Sequence, residues 1–64
     1  MNDHLTLVAM NPNHNFCQFL TYYTMADVMI AIHALQEYYP TYFPADKCRI
    51  DRATDYIYLT YAED

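Results

Sequence analysis

A single helical pattern lies in the middle of the chain, and it constrains the fold more than any other feature of the sequence. From Met25 onward, apolar side chains recur every three or four residues, which is the spacing of one helix face. Thr24 has a hydroxyl that can cap the first turn, and Asp27 places a negative charge where the helix dipole favours it. Because Pro40 disfavours helical backbone in the residue before it, we predict one helix over residues 25 to 38.

The residues before this helix have the pattern of a β-hairpin. The run from 5 to 10 (LTLVAM) and the run from 16 to 23 (FCQFLTYY) are apolar, β-branched or aromatic, as strands commonly are. Residues 11 to 15 (NPNHN) between them are strong turn formers. We therefore predict two antiparallel strands joined by a loop of about five residues.

The residues after the helix predict a second pair of strands. Residues 47 to 52 (KCRIDR) alternate between charged and apolar side chains, and residues 56 to 62 (YIYLTYA) alternate again after a turn. The order strand, strand, helix, strand, strand predicts an α+β fold for residues 1–64, which form one domain. The simplest arrangement is a four-stranded antiparallel sheet with the helix packed on one face.

The hydrophobic core predicted from these patterns is small, because a chain of 64 residues hides only about 60% of its surface on folding. The aromatic pair Tyr42 and Phe43, in the loop after the helix, is expected to fold back over the edge of this core. Other apolar side chains must stay exposed, and contiguous exposed apolar area usually marks a contact site. The predicted core consists of Leu7, Phe19, Val28, Ile32, Leu35, Ile50, Ile57 and Leu59.

The charge balance argues against nucleic acid as a direct partner. The chain has three Lys and Arg residues and eight Asp and Glu residues, which give a net charge of -5. Binding to the phosphates of a nucleic acid needs a basic patch instead. A protein with a basic surface is the more natural partner. No apolar run approaches the roughly 20 residues of a membrane span, so no membrane partner is expected. Residues 1 to 4 lack the basic start of a signal peptide, which predicts a cytoplasmic location.

The side chains that commonly carry catalysis are few. The chain has no serine, and it has no glycine from which a phosphate-binding loop could be built. Cys17 and Cys48 are expected to be buried, reduced thiols, with a disulfide or a metal site as alternatives. His14 and Cys17 have a local metal-ligand spacing, but the second pair of ligands that a structural zinc site needs is missing. We predict no catalytic site, no metal and no cofactor.

Two surfaces are candidates for contact with a partner. If the alternate residues of the last strand face the helix, then Tyr56 and Tyr58 lie on the outer face of the sheet, flanked by Asp51 and Asp55. Either Tyr22 or Tyr23 joins them, depending on the register of their strand. Tyrosine gives a large contact area with a polar tip, so this pattern predicts a protein-binding patch.

The second candidate surface is a ridge on the far side of the helix. Ile30, Ala34 and Tyr38 lie four residues apart and share one helix face, where a solvent-facing helix should be polar. Either Tyr42 or Phe43 covers this ridge, or the ridge is a contact surface for a partner or for a second copy of the chain.

The hairpin over residues 5 to 23, the helix opening at Thr24 and the strand Cys48-Arg49-Ile50 together resemble the layout of small host-takeover proteins of bacteriophages. The RNA polymerase inhibitors of these phages are similar in layout, and anti-CRISPR proteins are similarly small, acidic and rich in tyrosine. The resemblance implies a stoichiometric inhibitor in the host cytoplasm that blocks a nucleic-acid-handling complex. Mimicry of DNA is a lesser possibility because the carboxylates are dispersed along the chain. The alternative function is a small homodimeric structural or regulatory module, joined through the helix or a sheet edge.

Overall fold

A computed structural model describes residues 4–62 of the chain. The segment from which the lack of a signal peptide was predicted falls largely outside these residues, as do three of the acidic side chains. The α+β class, with one helix and a four-stranded sheet, is confirmed. The elements are β1 (Leu5–Asn11), β2 (Phe16–Tyr22), α1 (Met25–Tyr38), β3 (Cys48–Ala53) and β4 (Tyr56–Tyr61).

The two hairpin turns adopt left-handed backbone without glycine. Asn15 has φ of 54° at the end of a short 3-10 turn, and its N–H donates to the carbonyl of Pro12 at 3.2 Å. Thr54 has φ of 57° between β3 and β4, and the Nε of Arg52 donates to its carbonyl at 3.3 Å. Asparagine tolerates this conformation well, whereas threonine rarely adopts it because its Cβ is branched.

The bounds of α1 match the predicted helix. The Thr24 hydroxyl oxygen accepts a hydrogen bond from the Asp27 N–H at 3.1 Å, so the predicted cap is formed. At the other end the Tyr39 N–H donates to the Leu35 carbonyl at 2.9 Å, and Tyr39 itself has left the helical region. Local sequence signals therefore set both ends of this helix.

The prediction that all strand pairs are antiparallel is wrong. The strand order is β2-β1-β4-β3, and β1 and β4 at the centre are parallel. The reason lies in α1, which spans about 21 Å and so returns the chain along the length of a strand. Strand β3 consequently starts near the end from which β2 started. Strands β2 and β3 run in one direction, β1 and β4 in the other, and any contact between β1 and β4 must be parallel.

The charge pattern explains why β4, and not β3, lies beside β1. Strand β4 carries no charged residue, whereas β3 contains Arg49, Asp51 and Arg52. A central strand has neighbours on both sides and favours uncharged side chains, while charged residues are common on edge strands. An all-antiparallel order that keeps β1 in the centre would instead bring β3 beside β1 and place its charges in the middle of the sheet.

The core lies between α1 and the face of the sheet that α1 covers, which we call the inner face. It contains the expected Leu7, Val28, Ile32, Ile57 and Leu59, together with Ala9 and Phe43. The prediction was wrong for Phe19, which is 65% exposed, and for Ile50, which is 47% exposed. Alternation along β2 turns Leu20 and Tyr22 inward and so turns Phe19 to the opposite face. Ile50 lies on an edge strand, and Leu35 is only half-buried.

The loop after α1 is part of the core, as expected for its aromatic pair. Phe43 is fully buried, and its ring lies edge-on to that of Phe16 at 5.6 Å. Asn11 is also buried, and its side-chain nitrogen donates to the Tyr42 carbonyl at 2.6 Å. The Asn11 side-chain oxygen accepts from the Asn13 N–H at 2.9 Å. One buried side chain therefore fastens the loop to the end of β1 and shapes the first hairpin turn.

Candidate partner-binding surface

The face of the sheet opposite α1, which we call the outer face, has no described element packed on it. Its side chains form three rows across the strands, because the pairing registers of all four strands are aligned. In the order β2, β1, β4, β3, the rows are Thr21, Thr6, Tyr56 and Ala53; Phe19, Val8, Tyr58 and Asp51; and Cys17, Met10, Thr60 and Arg49.

The middle row has an apolar centre. Val8 is only 2% exposed although no helix or loop among residues 4–62 is packed over it. Its register partners are Phe19 on one side and Tyr58 on the other, and these large side chains stand directly beside it. Phe19 itself is 65% exposed. The outer face therefore has a buried aliphatic centre between two aromatic rings, with much of one ring in solvent.

Tyr56 and Tyr58 form one aromatic unit on this face. They alternate along β4 to the same side, and their rings stack with centroids 6.3 Å apart and planes at 22°. Tyr56 is 46% exposed, and Tyr58 is half-buried. The structure thus brings two of the sequence-predicted contact residues together as a preformed pair, next to Val8.

The two predicted carboxylates stand in different surroundings. Asp51 lies on the outer face, where its carboxylate contacts the Nε of Arg49 at 3.6 Å. Both side chains are well exposed, so this ion pair adds little stability, but it offsets the charge of Asp51. Asp55 lies in the turn between β3 and β4, next to Tyr56. Among residues 4–62, the centre of the outer face is therefore neutral, and Asp55 stands at its rim without an ion-pair partner.

Tyr22, one of the two alternatives for a further member of this patch, lies on the opposite face, while the other, Tyr23, follows the end of β2 and is exposed. Tyr22 pairs with Leu5 and packs partly buried against the core. Phe19 takes the place on the outer face that sequence analysis gave to Tyr22. Phe19 and Tyr22 are three residues apart on β2, so their side chains must point to opposite faces of the sheet. Knowledge of the pairing register would have shown which of the two lies on the outer face.

A shallow depression continues the outer face at one end of the sheet. Its volume is about 260 Å³ and it is open to solvent. The lining is mostly apolar and includes three of the four residues of one strand row, together with residues of the hairpin turn. The lining residues are Met10, Pro12, Asn15, Phe16, Cys17 and Thr60.

The ridge on α1 is uncovered. Ile30 is 66% exposed and Tyr38 is 74% exposed, with the half-buried Ala34 between them. Neither aromatic residue of the following loop covers it, because Phe43 is in the core and Tyr42 stacks on His14 with ring centroids 4.3 Å apart. Both predicted contact residues of the helix are therefore accessible, on the side of the molecule away from the tyrosine pair.

The two cysteines are free thiols in different environments. Cys17 is exposed, so the expectation that it is buried was wrong: it faces outward from an edge strand. Cys48 is half-buried. Burial raises the pKa of the Cys48 thiol, and the nearby Asp46 charge adds to this, while a hydrogen bond with Gln36 acts in the opposite direction.

Within residues 4–62, no group of three or more His, Cys, Asp or Glu side chains is placed to hold a metal ion. No helix in the same part of the chain combines the length and apolar character needed to cross a bilayer. Comparison with protein-family models, with curated proteins and with solved structures found no match to this chain.

Proposed function

We propose that this chain is a non-enzymatic inhibitor that binds another protein through the outer face of its sheet and blocks it sterically. One observation carries the proposal. An uncovered sheet face presents a stacked tyrosine pair and an exposed phenylalanine around the buried Val8. Large aromatic side chains around a dry centre are what the energetically dominant part of a protein interface requires.

The charge distribution indicates how such a surface selects its partner. The Arg49–Asp51 pair leaves the centre of the outer face neutral, so aromatic burial and not ion pairing supplies the binding free energy. The net charge of -5 steers the approach of the chain towards a basic surface. A nucleic-acid-handling complex of a host cell has such a surface, which makes it the proposed class of target, of the transcription-inhibitor or anti-CRISPR type.

Mimicry of DNA is the less favoured mechanism. The described carboxylates lie on α1, in the turn before β3, on β3 and in the last hairpin turn, and they form no row that could imitate a phosphate backbone. An interface built on charge would also place uncompensated carboxylates at its centre, where this face has Val8 and Tyr58.

The experiment compares two tyrosine variants and one charge variant in capture of proteins from a bacterial lysate. We expect Tyr56→Ala to lose the captured protein, because Tyr56 stacks on the central Tyr58 and an aromatic anchor of an interface contributes about 2 kcal/mol or more. Tyr38→Ala on the helix is the matched control and should retain it. Asp55→Asn should change capture only slightly, and mainly at low salt.

Each of the other outcomes identifies a different surface or mechanism. If Asp55→Asn and added salt abolish capture while Tyr56→Ala does not, the chain binds through charge as a nucleic-acid mimic. If only Tyr38→Ala abolishes capture, the ridge on α1 is the binding surface. Circular dichroism of each variant shows that the fold is retained and that a loss of capture reports on the surface.

A further inference from the structure

The free edge of β2 differs from the free edge of β3 at the other side of the sheet. Strand β2 has no charged residue and no proline along its seven residues, whereas β3 carries three charges. Exposed strand edges pair readily with other strands, and proteins commonly prevent this with charged residues or proline on the edge. Only β3 has this protection.

The orientation of the backbone groups on β2 follows from one hydrogen bond. The Thr6 N–H donates to the Asp55 carbonyl at 2.8 Å, so the backbone groups of Thr6 face β4. Backbone groups alternate along a strand, and those of Leu5 and Leu7 therefore face β2. Their register partners on β2 are Tyr22 and Leu20, so the backbone N–H and C=O groups of these two residues point towards β1.

The intervening residues of β2 are therefore the ones that present N–H and C=O groups to solvent. These are Cys17, Phe19 and Thr21, and all three side chains are exposed on the outer face. No further backbone partner is found for them among residues 4–62. The edge thus offers three evenly spaced sets of donors and acceptors, centred on Phe19.

We propose that this edge binds a second copy of the chain, by antiparallel pairing of β2 with β2 around a two-fold axis at Phe19. In this register Phe19 faces Phe19 of the second copy, and Cys17 faces Thr21. Each facing pair exchanges both of its N–H···O=C hydrogen bonds. The three outward-facing residues are then satisfied, and the two exposed phenylalanine rings shield each other.

The charge pattern selects a second copy over a basic partner for this edge. No Asp, Glu, Lys or Arg occurs between Asp3 and Asp27, a stretch that includes all of β2. A basic partner finds no carboxylate there to pair with. Two copies of a chain with net charge -5 repel each other elsewhere, but they can meet at β2 without opposing like charges.

This pairing joins the two sheets into one continuous sheet with the outer faces on the same side. Facing residues in an antiparallel pair point their side chains to the same face, so the two outer faces merge across the Phe19 rows. The inference goes beyond the proposed function and does not depend on it, because it concerns what pairs with the edge of β2 and not which protein binds the outer face.

The first test replaces Phe19 and measures mass by sedimentation velocity over a range of concentrations. The wild-type chain should show twice its 7.6 kDa mass at high concentration. Phe19→Lys places like charges opposite each other and should weaken the dimer by about tenfold or more. Ile30→Lys is the matched control, since Ile30 is 66% exposed and Phe19 is 65% exposed, and it should leave the dimer intact.

The second test traps the pairing register by disulfide formation in a Cys48→Ala background. Thr21→Cys places a thiol opposite Cys17 of the second copy at a Cα separation of about 5.5 Å, which a disulfide can span. Within one chain these positions are about 13 Å apart in an extended strand, so they cannot bridge. Mild oxidation should therefore give a covalent dimer, while Ala53→Cys on the other edge should not.

Three results would overturn the proposal. The first is a wild-type chain that stays a monomer at its highest soluble concentration. The second is a dimer that Ile30→Lys dissociates and Phe19→Lys does not. The third is a dimer in which Ala53→Cys forms the covalent link as readily as Thr21→Cys. Thr21→Lys, at a second exposed position of the same edge, repeats the first test if Phe19→Lys fails to fold.

Discussion

Phe43 is the residue whose removal should test the fold most directly. It belongs to the loop between α1 and β3, yet none of its side chain is exposed, and its ring packs edge-on against Phe16. Phe43→Ala removes a complete ring from the core and leaves a cavity that the surrounding backbone can fill only in part. We expect this change to destabilise the chain as strongly as any core truncation.

The magnitude follows from burial and chain length. Truncation of a buried phenylalanine to alanine costs about 3–5 kcal/mol. A chain of 64 residues has a total unfolding free energy of roughly 3–10 kcal/mol, at about 0.05–0.15 kcal/mol per residue. The single change therefore removes a large part of the stability or all of it. Phe43→Leu keeps most of the apolar volume and provides a measurable variant if Phe43→Ala is unfolded.

Phe19→Ala is the matched control because it deletes the same atoms from a ring that is 65% exposed. Only about a third of the burial is lost there, which corresponds to roughly 0.5–1 kcal/mol. Urea unfolding followed by circular dichroism measures both variants, at low protein concentration so that self-association does not contribute. The reasoning would be refuted if the two variants lost the same unfolding free energy, or if Phe43→Ala were within about 0.5 kcal/mol of wild type. Either result would mean that Phe43 is not in the core or that Phe19 is not at the surface.

Two further predictions concern the helix start and the half-buried thiol. Thr24→Ala removes the acceptor for the Asp27 N–H and should lower the unfolding free energy by about 0.5–2 kcal/mol in the same urea experiment, whereas Thr24→Ser should retain the cap. Cys48 should react with iodoacetamide only at higher pH than a free thiol does, because burial raises its pKa and the thiolate is the reactive form. Peptide mapping by mass spectrometry across a pH series measures this, and reaction of Cys48 at the rate of a free thiol at neutral pH would contradict it.

Much of the local structure could be predicted because its causes lie within a few residues. The cap at Thr24 and the break at Pro40 determine the helix bounds, and the turn formers from 11 to 15 determine the first hairpin. The alternation of β4, with Ile57 inward and Tyr58 outward, also follows from its own sequence. These features need no knowledge of what packs against them.

The candidate site was only partly predictable for a specific physical reason. Tyr56 and Tyr58 were placed correctly because β4 alternates without ambiguity, whereas β2 has aromatic residues of both parities. Phe16 and Tyr22 share one face of it, and Phe19 lies on the other. A shift of one residue in the pairing register moves every side chain of β2 to the opposite face of the sheet. The sequence of β2 alone does not show which of the two sets of side chains faces the helix. That choice is made by the register with β1.

The sequence by itself thus determined the kinds of elements, the ends of the helix and the excess of acidic side chains. Only the tertiary structure decided the parallel contact of β1 with β4, the burial of Phe43 and the exposure of Phe19. The return of the chain through α1 sets the strand directions, and the avoidance of charge at the centre of the sheet selects which strands meet there. Such contacts join residues far apart in the chain, so local patterns do not contain them. They determine that Val8, Phe19 and the tyrosine pair share the outer face and that the uncharged strand β2 lies at an edge of the sheet.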